Sequence, residues 1–306
     1  MYSELLQEFH GLPVVEFNGP DDWKDLQTAY RIREDYEDDL KVTDRIAALL
    51  AQPDCKHLSA LIIGSWSGAF EGGGSEEAAN ELVKVSMQLP GLRHLFFGEM
   101  TYEECEISWI NQSDLSPLLN AFPKLASLRV RGGTGLSFSQ TRHKGLKELA
   151  IETGGLSKST MRDIFLCDFP NLEHLELLLG EENYGFDGGV EDLQPLLSGR
   201  IFPCLKMLGL KNSSISNDIA AVLVNSPIVE RIESIDLSMG SLNDEGVNSL
   251  MELAAHRHLK LLNISHHYAS TDSIENLKRI LPFEVISEDA QVKDDDDDWR
   301  PILHAE

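Results

Sequence analysis

The chain has few cysteines, few positive charges and no long apolar run. Its four cysteines among 306 residues show neither CxxC pairing nor the density of a disulfide-stapled secreted domain. Lysine and arginine number 26 against 51 acidic residues, and the resulting net charge of −25 repels phosphate backbones and anionic lipid. We find neither an apolar run of about 18 residues nor a signal-peptide pattern. The sequence therefore predicts a soluble cytoplasmic protein that binds no nucleic acid or membrane, and its charge favours encounter with basic protein segments.

Motifs that carry catalysis or hold cofactors are also missing. There is no nucleophile elbow, Walker loop, HExxH or clustered His/Cys set, and the glycine-rich stretch 131–135 lacks the Lys-Ser/Thr ending of a phosphate loop. Adjacent His266 and His267 point in divergent directions on an extended chain, which is poor geometry for a shared metal ion. The sequence predicts no catalytic residue, no metal site and no cofactor.

What the chain does have is one six-residue phrase, written eight times, with apolar residues at its first, fourth and sixth positions. This is the strand pattern of a leucine-rich repeat. The copies are Leu58-Leu61-Ile63, Leu92-Leu95-Phe97, Leu125-Leu128-Val130, Leu146-Leu149-Ile151, Leu172-Leu175-Leu177, Leu205-Leu208-Leu210, Ile232-Ile235-Leu237 and Leu259-Leu262-Ile264.

Between the phrases the spacing of apolar residues becomes helical, as from Ser75 to Met87. The shortest interval, from Leu125 to Leu146, is the exception, because its glycine-rich start has turn and strand character. The sequence predicts an α/β leucine-rich-repeat solenoid, or horseshoe, with about eight parallel strands on the concave face and mainly helices on the convex face.

We divide the chain into a cap at 1–57, a repeat array at 58–286 and an acidic tail at 287–306. The cap is expected to hold a strand at 14–17, a helical stretch running through Trp23 and Ile32, and a helix at about 43–51. The tail contains five consecutive aspartates at 294–298, followed by an apolar stretch at 299–303 that could dock. It is either a solvated acidic tail or a tethered segment that is autoinhibitory or mimics a partner.

The residues that flank the inward-facing positions of each phrase must point to the concave face. Its first turns are apolar there, with Ala60, Ile62 and Phe96, and its middle turns are charged. The charged positions are Arg129, Arg131, Glu148, Glu152, Glu176 and Lys211. These charges either hold adjacent strands together or form a recognition surface on which the arginines capture a carboxylate or phosphate. On the second reading, Arg131→Glu weakens capture without unfolding the chain.

Several stretches resemble known proteins. The phrase lengths and helical backs resemble ribonuclease-inhibitor-type leucine-rich-repeat proteins, which act by protein binding. Other motifs are similar to those of a bacterial leucine-rich-repeat family without an assigned activity. They are Glu-Ile-Ser-Trp-Ile at 106–110, Arg-Gly-Gly at 131–133, Ile-Glu-Thr-Gly-Gly-Leu at 151–156, Leu-Ser-Met-Gly at 237–240 and His-His-Tyr at 266–268. The resemblance implies a repeat fold and a bacterial cytoplasmic setting.

We therefore expect a non-catalytic scaffold that binds a protein or peptide, with no prediction of oligomeric state. The alternative is an enzyme or enzyme accessory with its substrate near Trp109, Glu152 and His266. The predicted partner-binding residues lie on the concave face and at the carboxyl ends of the strands. They are Trp66, Trp109, Arg129, Arg131, Glu148, Glu152, Glu176, Lys211, Asn212, Ser238, His266 and Tyr268.

Overall fold

A computed structural model describes residues 2–34, 40–292 and 299–305. The aspartate run at 294–298 lies outside the described residues. The chain forms two compact units, the first comprising residues up to 152 together with 166–169, and the second comprising most of the remainder from 153 to 305.

The first unit is a layered α/β structure. β1 and β2 form an antiparallel hairpin, and from β2 onward every strand pairs in parallel with the next strand along the chain. Its strands are β1 (Glu8–Phe9), β2 (Leu12–Glu16), β3 (Ala29–Ile32), β4 (Ala60–Ile63), β5 (His94–Phe97), β6 (Ser127–Arg131) and β7 (Glu148–Glu152). Its helices are α1 (Val42–Leu50), α2 (Glu76–Val85) and α3 (Ser116–Ala121), each packed against the next.

The second unit repeats this plan. Its strands, all parallel, are β8 (His174–Gly180), β9 (Met207–Ser213), β10 (Ser234–Asp236), β11 (Leu261–Asn263) and β12 (Glu284–Ile286). Its helices are α4 (Lys158–Leu166, apart from its last residue), α5 (Gln194–Leu197), α6 (Ser216–Leu223), α7 (Asp244–Leu250) and α8 (Thr271–Ile280). Helix α7 packs against both α6 and α8.

Alternation along each strand separates two faces of the sheet. In β4 to β6, Leu61, Leu95 and Leu128 are aligned in register and buried with the helical layer. Their neighbours Ile62, Phe96 and Arg129 are also aligned and point to the opposite side. We call that opposite side, in each unit, the open face. Hydrophobic burial on the helical side holds each strand to its neighbours.

The count of about eight strands is too low. Strands occur at all eight phrases, but the described residues also contain β1, β2, β3 and β12. The predicted helix through Trp23 and Ile32 is wrong: a 3₁₀ turn at Pro20–Asp22 is followed by strand β3, whose four residues are all buried. A strand buried on both faces lacks the alternation that distinguishes it from a short helix.

The short interval after β6 is built as expected. No helix occurs between β6 and β7, and isolated parallel bridges join Asn111 to Thr134 and Asp114 to Ser137 instead. Gly132 turns the chain with φ of 101°, and a Cβ there would lie 2.5 Å from the Ile110 side chain. Only glycine fits this turn.

Among the described residues, no helix has both the length and the apolar character needed to cross a membrane. The same part of the chain contains no group of three or more His, Cys, Asp or Glu side chains placed to hold a metal ion.

Candidate functional site

The charged positions of the first unit are joined in a buried cluster. Arg131 and Glu152 are paired in register on β6 and β7, with Nε and Oε2 2.7 Å apart and each residue only 3% exposed. Arg129 reaches the other Glu152 oxygen at 3.3 Å, and the Arg131 Nη1 atom donates to the Met100 carbonyl at 2.6 Å. The expectation that Arg131→Glu leaves the fold intact treated Arg131 as a charge at the rim of the surface, which is wrong, because its guanidinium is enclosed and paired.

The apolar positions of the first open face are covered by the chain's own N-terminus. Ala29, Ala60, Ile62 and Phe96 have no exposed surface, and Phe9 packs among them. Leu6, Leu12 and Val14 pack around the same cluster. We call residues 2–10 the N-terminal segment; it lies across the face that the sequence predicted to be open to a partner.

A buried ion pair binds the backbone of this segment. Arg31 and Glu99 pair through Nε and Oε2 at 2.6 Å, and Glu99 is fully buried. The other Glu99 oxygen, Oε1, accepts hydrogen bonds from the Leu6 amide at 2.6 Å and from Arg31 Nη2 at 3.2 Å, and the Arg31 Nη2 atom also donates to the Leu6 carbonyl at 2.6 Å. One Arg–Glu pair thus satisfies both backbone groups of a single residue.

The two ends of the segment are held by ring contacts. At one end, the Arg131 guanidinium lies 3.6 Å from the centroid of the Tyr2 ring, a cation–π contact. At the other, the His10 ring stacks on His94 with centroids 3.9 Å apart, and its Nε2 atom lies 3.0 Å from the Ser127 hydroxyl. Burial, followed by the nearby His10, lowers the pKa of His94 to about 4, so the stack is neutral at pH 7.

The second open face carries a polar network instead. Lys211 lies 3.3 Å from Glu176 and 3.9 Å from Asp236, and Asn263 donates to the same Asp236 carboxylate at 3.0 Å. These side chains converge over Gly209, where an added Cβ would meet both Glu176 and Lys211 at about 3.3 Å. Met207 stands beside them with 40% of its surface exposed.

At the carboxyl ends of β9 to β11 the backbone makes a regular turn. Asn212, Met239 and His266 have φ values of 50°, 68° and 59°, a left-handed conformation that is uncommon outside glycine. Each of their amides donates to a carbonyl in the next turn, at Ser238, Ser265 and Glu288. The turns place these residues in one row at the strand ends.

The row holds the C-terminal segment, residues 299–305. The side-chain amide of Asn212 makes two hydrogen bonds to His304. Its Nδ2 atom donates to the His304 carbonyl, and its Oδ1 atom accepts from the His304 backbone N–H at 2.8 Å. The Met239 carbonyl accepts from the Leu303 amide at 2.9 Å, and the Tyr268 hydroxyl donates to the Pro301 carbonyl at 2.7 Å. All of these hydrogen bonds are made to main-chain atoms of the C-terminal segment. The Ile302 side chain of the segment is buried.

The rest of the row supports these contacts. His266 is held by Asp289 at 3.0 Å and lies 3.4 Å from the Pro301 carbonyl. Ser238 is buried and bonded through its amide to Asp236. Burial raises the pKa of the Glu181 carboxyl, to which the Trp299 side chain donates a hydrogen bond. The strand ends therefore form a surface that binds an extended polypeptide.

The remaining predicted residues have different surroundings. Trp66 is buried, stacked on Phe97, and donates its indole N–H to Gly73. Trp109 is 64% exposed, and the Glu148 side chain is 42% exposed beside His10. In the enzyme alternative, Glu152 is buried between Arg129 and Arg131, and His266 is bonded to Asp289 beside the C-terminal segment.

Known structures include a relative that shares much of this chain's sequence and fold. A crystal structure of a protein from Bacteroides fragilis, solved as a structural-genomics target, shares 33% sequence identity with this chain. The match covers 90% of this chain and 76% of that one, with a TM-score of 0.81. The chain belongs to the family of this Bacteroides protein.

An internalin from Listeria monocytogenes is also similar, at 14% identity over 86% of this chain and 74% of that one, with a TM-score of 0.34. No protein-family model and no curated protein matches the chain.

Sequence reasoning missed several residues of these sites. Arg31 was assigned to a helix, and Glu99 lies outside the repeated phrase. Met239 and His304 make their contacts through main-chain atoms, which the residue type does not reveal. One signal was available: Ala29-Tyr30-Arg31-Ile32 is a short run that begins after a polar turn, as a buried strand does.

Proposed function

We propose that this protein is a leucine-rich-repeat solenoid that acts as a non-catalytic scaffold for a protein or peptide partner. It uses the second open face together with the strand ends that carry Asn212 and Tyr268. The partner meets them as an extended segment.

One observation carries the proposal. Asn212 donates to the carbonyl and accepts from the amide of the same residue, His304. A side-chain amide that binds both backbone groups of one residue recognises an extended main chain independently of its sequence. The neighbouring Met239 and Tyr268 contacts repeat this recognition at Leu303 and Pro301.

In this proposal the second open face contacts the side chains of the partner, while the strand ends bind its main chain. Its exposed Met207 offers an adaptable apolar surface, and the mixed charges of Glu176, Asp236 and Lys211 lie further along the same strands. With a net charge of −25, the chain favours encounter with a basic partner. Arg300 in the chain's own segment fits that preference.

The eight repeated phrases, each of which coincides with a strand, support the solenoid assignment. In this proposal residues 1–57 cap the array, 58–286 form it, and 287–306 are a tail whose last residues occupy the partner's place.

The test is a selection of displayed random peptides on the full-length chain. Sequences enriched on the wild-type chain should be competed by a synthetic peptide of residues 299–305. They should also be lost on the Asn212→Gly variant, which removes the side-chain amide while suiting the left-handed backbone.

Met239→Gly is the matched control, because Met239 lies in the same row and uses its main-chain carbonyl. That variant should retain the enriched peptides. If no sequence is enriched, or if enriched peptides bind the Asn212→Gly variant as well as the wild type, the proposal fails.

A further inference from the structure

The N-terminal segment is held by side chains of the surface beneath it more than by pairing with a strand. Only Glu8–Phe9 pairs in a sheet. Ser3, Glu4, Gln7 and Glu8 face solvent, whereas Leu6 and Phe9 face the sheet. The segment contains no helix, and its exposed residues come in pairs separated by the residues that contact the sheet.

The surface beneath it has the chemistry of a binding site. A simple cap needs apolar contact alone, and an ionised pair is costly to bury without further hydrogen bonds. Here the buried Arg31–Glu99 pair is completed by the amide and carbonyl of Leu6. The pair binds the backbone N–H and C=O of one residue, contacts that do not depend on that residue's side chain.

Two more contacts define side-chain preferences. Arg131, fixed by Glu152, accepts the flat face of the Tyr2 ring at 3.6 Å, and the patch formed by Ala29, Ala60, Ile62 and Phe96 accepts Phe9. The spacing read from the segment is an aromatic residue, a leucine four positions later and a phenylalanine three positions after that.

We propose that the first open face is a second peptide-binding site and that the N-terminal segment is its intramolecular ligand. The partner is a non-helical peptide segment of another protein with aromatic, leucine and phenylalanine residues at positions i, i+4 and i+7. This inference rests on the proposed scaffold function but concerns the first unit alone, so its failure leaves the Asn212 site untouched.

The test uses full-length chains and a fluorescent peptide of residues 2–10. In the variant Leu6→Ala/Phe9→Ala the internal ligand is weakened while the surface is intact. Because apparent affinity scales with the fraction of open sites, this variant should bind the peptide at least about tenfold more tightly than the wild-type chain. The same peptide carrying Phe9→Ala should bind neither chain.

Surface variants complete the test. Adding Glu99→Gln to the double variant should abolish peptide binding, because the pair that reads the Leu6 backbone is broken. Adding Glu103→Gln, an exposed neighbour, should leave binding unchanged. Equal peptide affinity for the wild-type chain and the folded double variant overturns the proposal.

Hydrogen exchange on the wild-type chain gives a result even if the double variant does not fold. The Leu6 and Val14 amides should exchange through a local opening, faster than the amides of β5 and β6. Exchange of all of them at one common rate makes the segment part of the core and overturns the proposal. A wild-type dimer that forms with rising concentration by exchanging this segment also overturns it, because the occupant is then a second copy.

Discussion

At the scale of single residues, the most consequential feature is the burial of charge on the first open face. The sequence located Arg131 and Glu152 on neighbouring strands and offered structural pairing as one reading. The burial of these two side chains could not be foreseen, because it depends on the N-terminal segment, and on its Tyr2 in particular, which is far away in sequence. Long-range coverage of this kind leaves no periodic signal.

Burial makes the Glu152 carboxylate structurally important. Glu152→Gln leaves Arg131 enclosed without a counter-charge, and we expect the free energy of unfolding to fall by about 3–5 kcal/mol. Chemical denaturation measures this change. Glu148→Gln on the same strand is the control, because an exposed charge contributes less than about 1 kcal/mol. Equal effects of the two substitutions would show that the pair is not desolvated.

The stacked histidines predict a pH dependence. The folded chain lowers the pKa of His94 from 6.5 to about 4 through burial and the adjacent His10, with Glu148 opposing and Arg93 adding to the shift. Burial also lowers the pKa of His10, where Glu148 opposes and Arg129 adds to the shift. The unfolded chain therefore binds more protons between these values, and stability falls as pH drops from 6.5 to 4.

His94→Phe keeps a ring against His10 and removes the titrating group, so it should flatten this slope. The His94 Nδ1 atom has no hydrogen-bond partner in the described part of the chain, so phenylalanine loses none there. The measurement is the urea midpoint as a function of pH in both proteins. A wild-type slope that survives in His94→Phe would assign the effect to other groups.

At the scale of elements, prediction worked where a strand carries the repeated phrase and failed where it does not. The eight phrases locate β4 to β11, because their apolar residues recur with strand spacing. β3 was missed because it carries no copy of the phrase and its four buried residues show no alternation. The turns at the strand ends were not predicted, because the residues with a left-handed backbone there are an asparagine, a methionine and a histidine. No common residue type marks the position in the sequence.

The turn that ends β8 depends on glycine for two separable reasons. Gly180 has φ of 80°, and a Cβ there would lie 1.8 Å from the Gly154 carbonyl oxygen. Gly11 has a similar φ of 76° with nothing within 4 Å. Gly11→Ala should therefore cost only the left-handed strain of about 1–2 kcal/mol, whereas Gly180→Ala should cost clearly more.

Thermal unfolding of the two alanine variants measures the difference. Similar melting temperatures would mean that the Gly154 backbone moves aside without loss.

At the scale of the whole molecule, composition narrowed the classes of function to consider but did not identify a partner. The net charge of −25 and the absence of catalytic motifs favoured a binding protein. The sequence also placed Asn212, His266 and Tyr268 at the strand ends. It could not show that the chain's own termini lie on the predicted surfaces, because neither terminal segment carries the repeated phrase.

The aspartate run at 294–298 remains a prediction from sequence. Deleting it removes five negative charges without removing any apolar residue, so the melting temperature should change little. Association with a basic partner should slow, and more so at low salt, where screening is weak. Stopped-flow association at two salt concentrations measures this effect. A large drop in melting temperature would show that the run is structural.

The most direct test of the central claim is titration of full-length Ile302→Asp with a fluorescent peptide of residues 299–305. The substitution weakens the chain's own C-terminal segment and leaves the strand ends intact. This variant should bind the peptide about tenfold more tightly than the wild-type chain does. Binding should be lost on adding Asn212→Gly and kept on adding Met239→Gly. Binding that is indifferent to the Asn212 side chain would contradict the claim that these strand ends recognise an extended polypeptide.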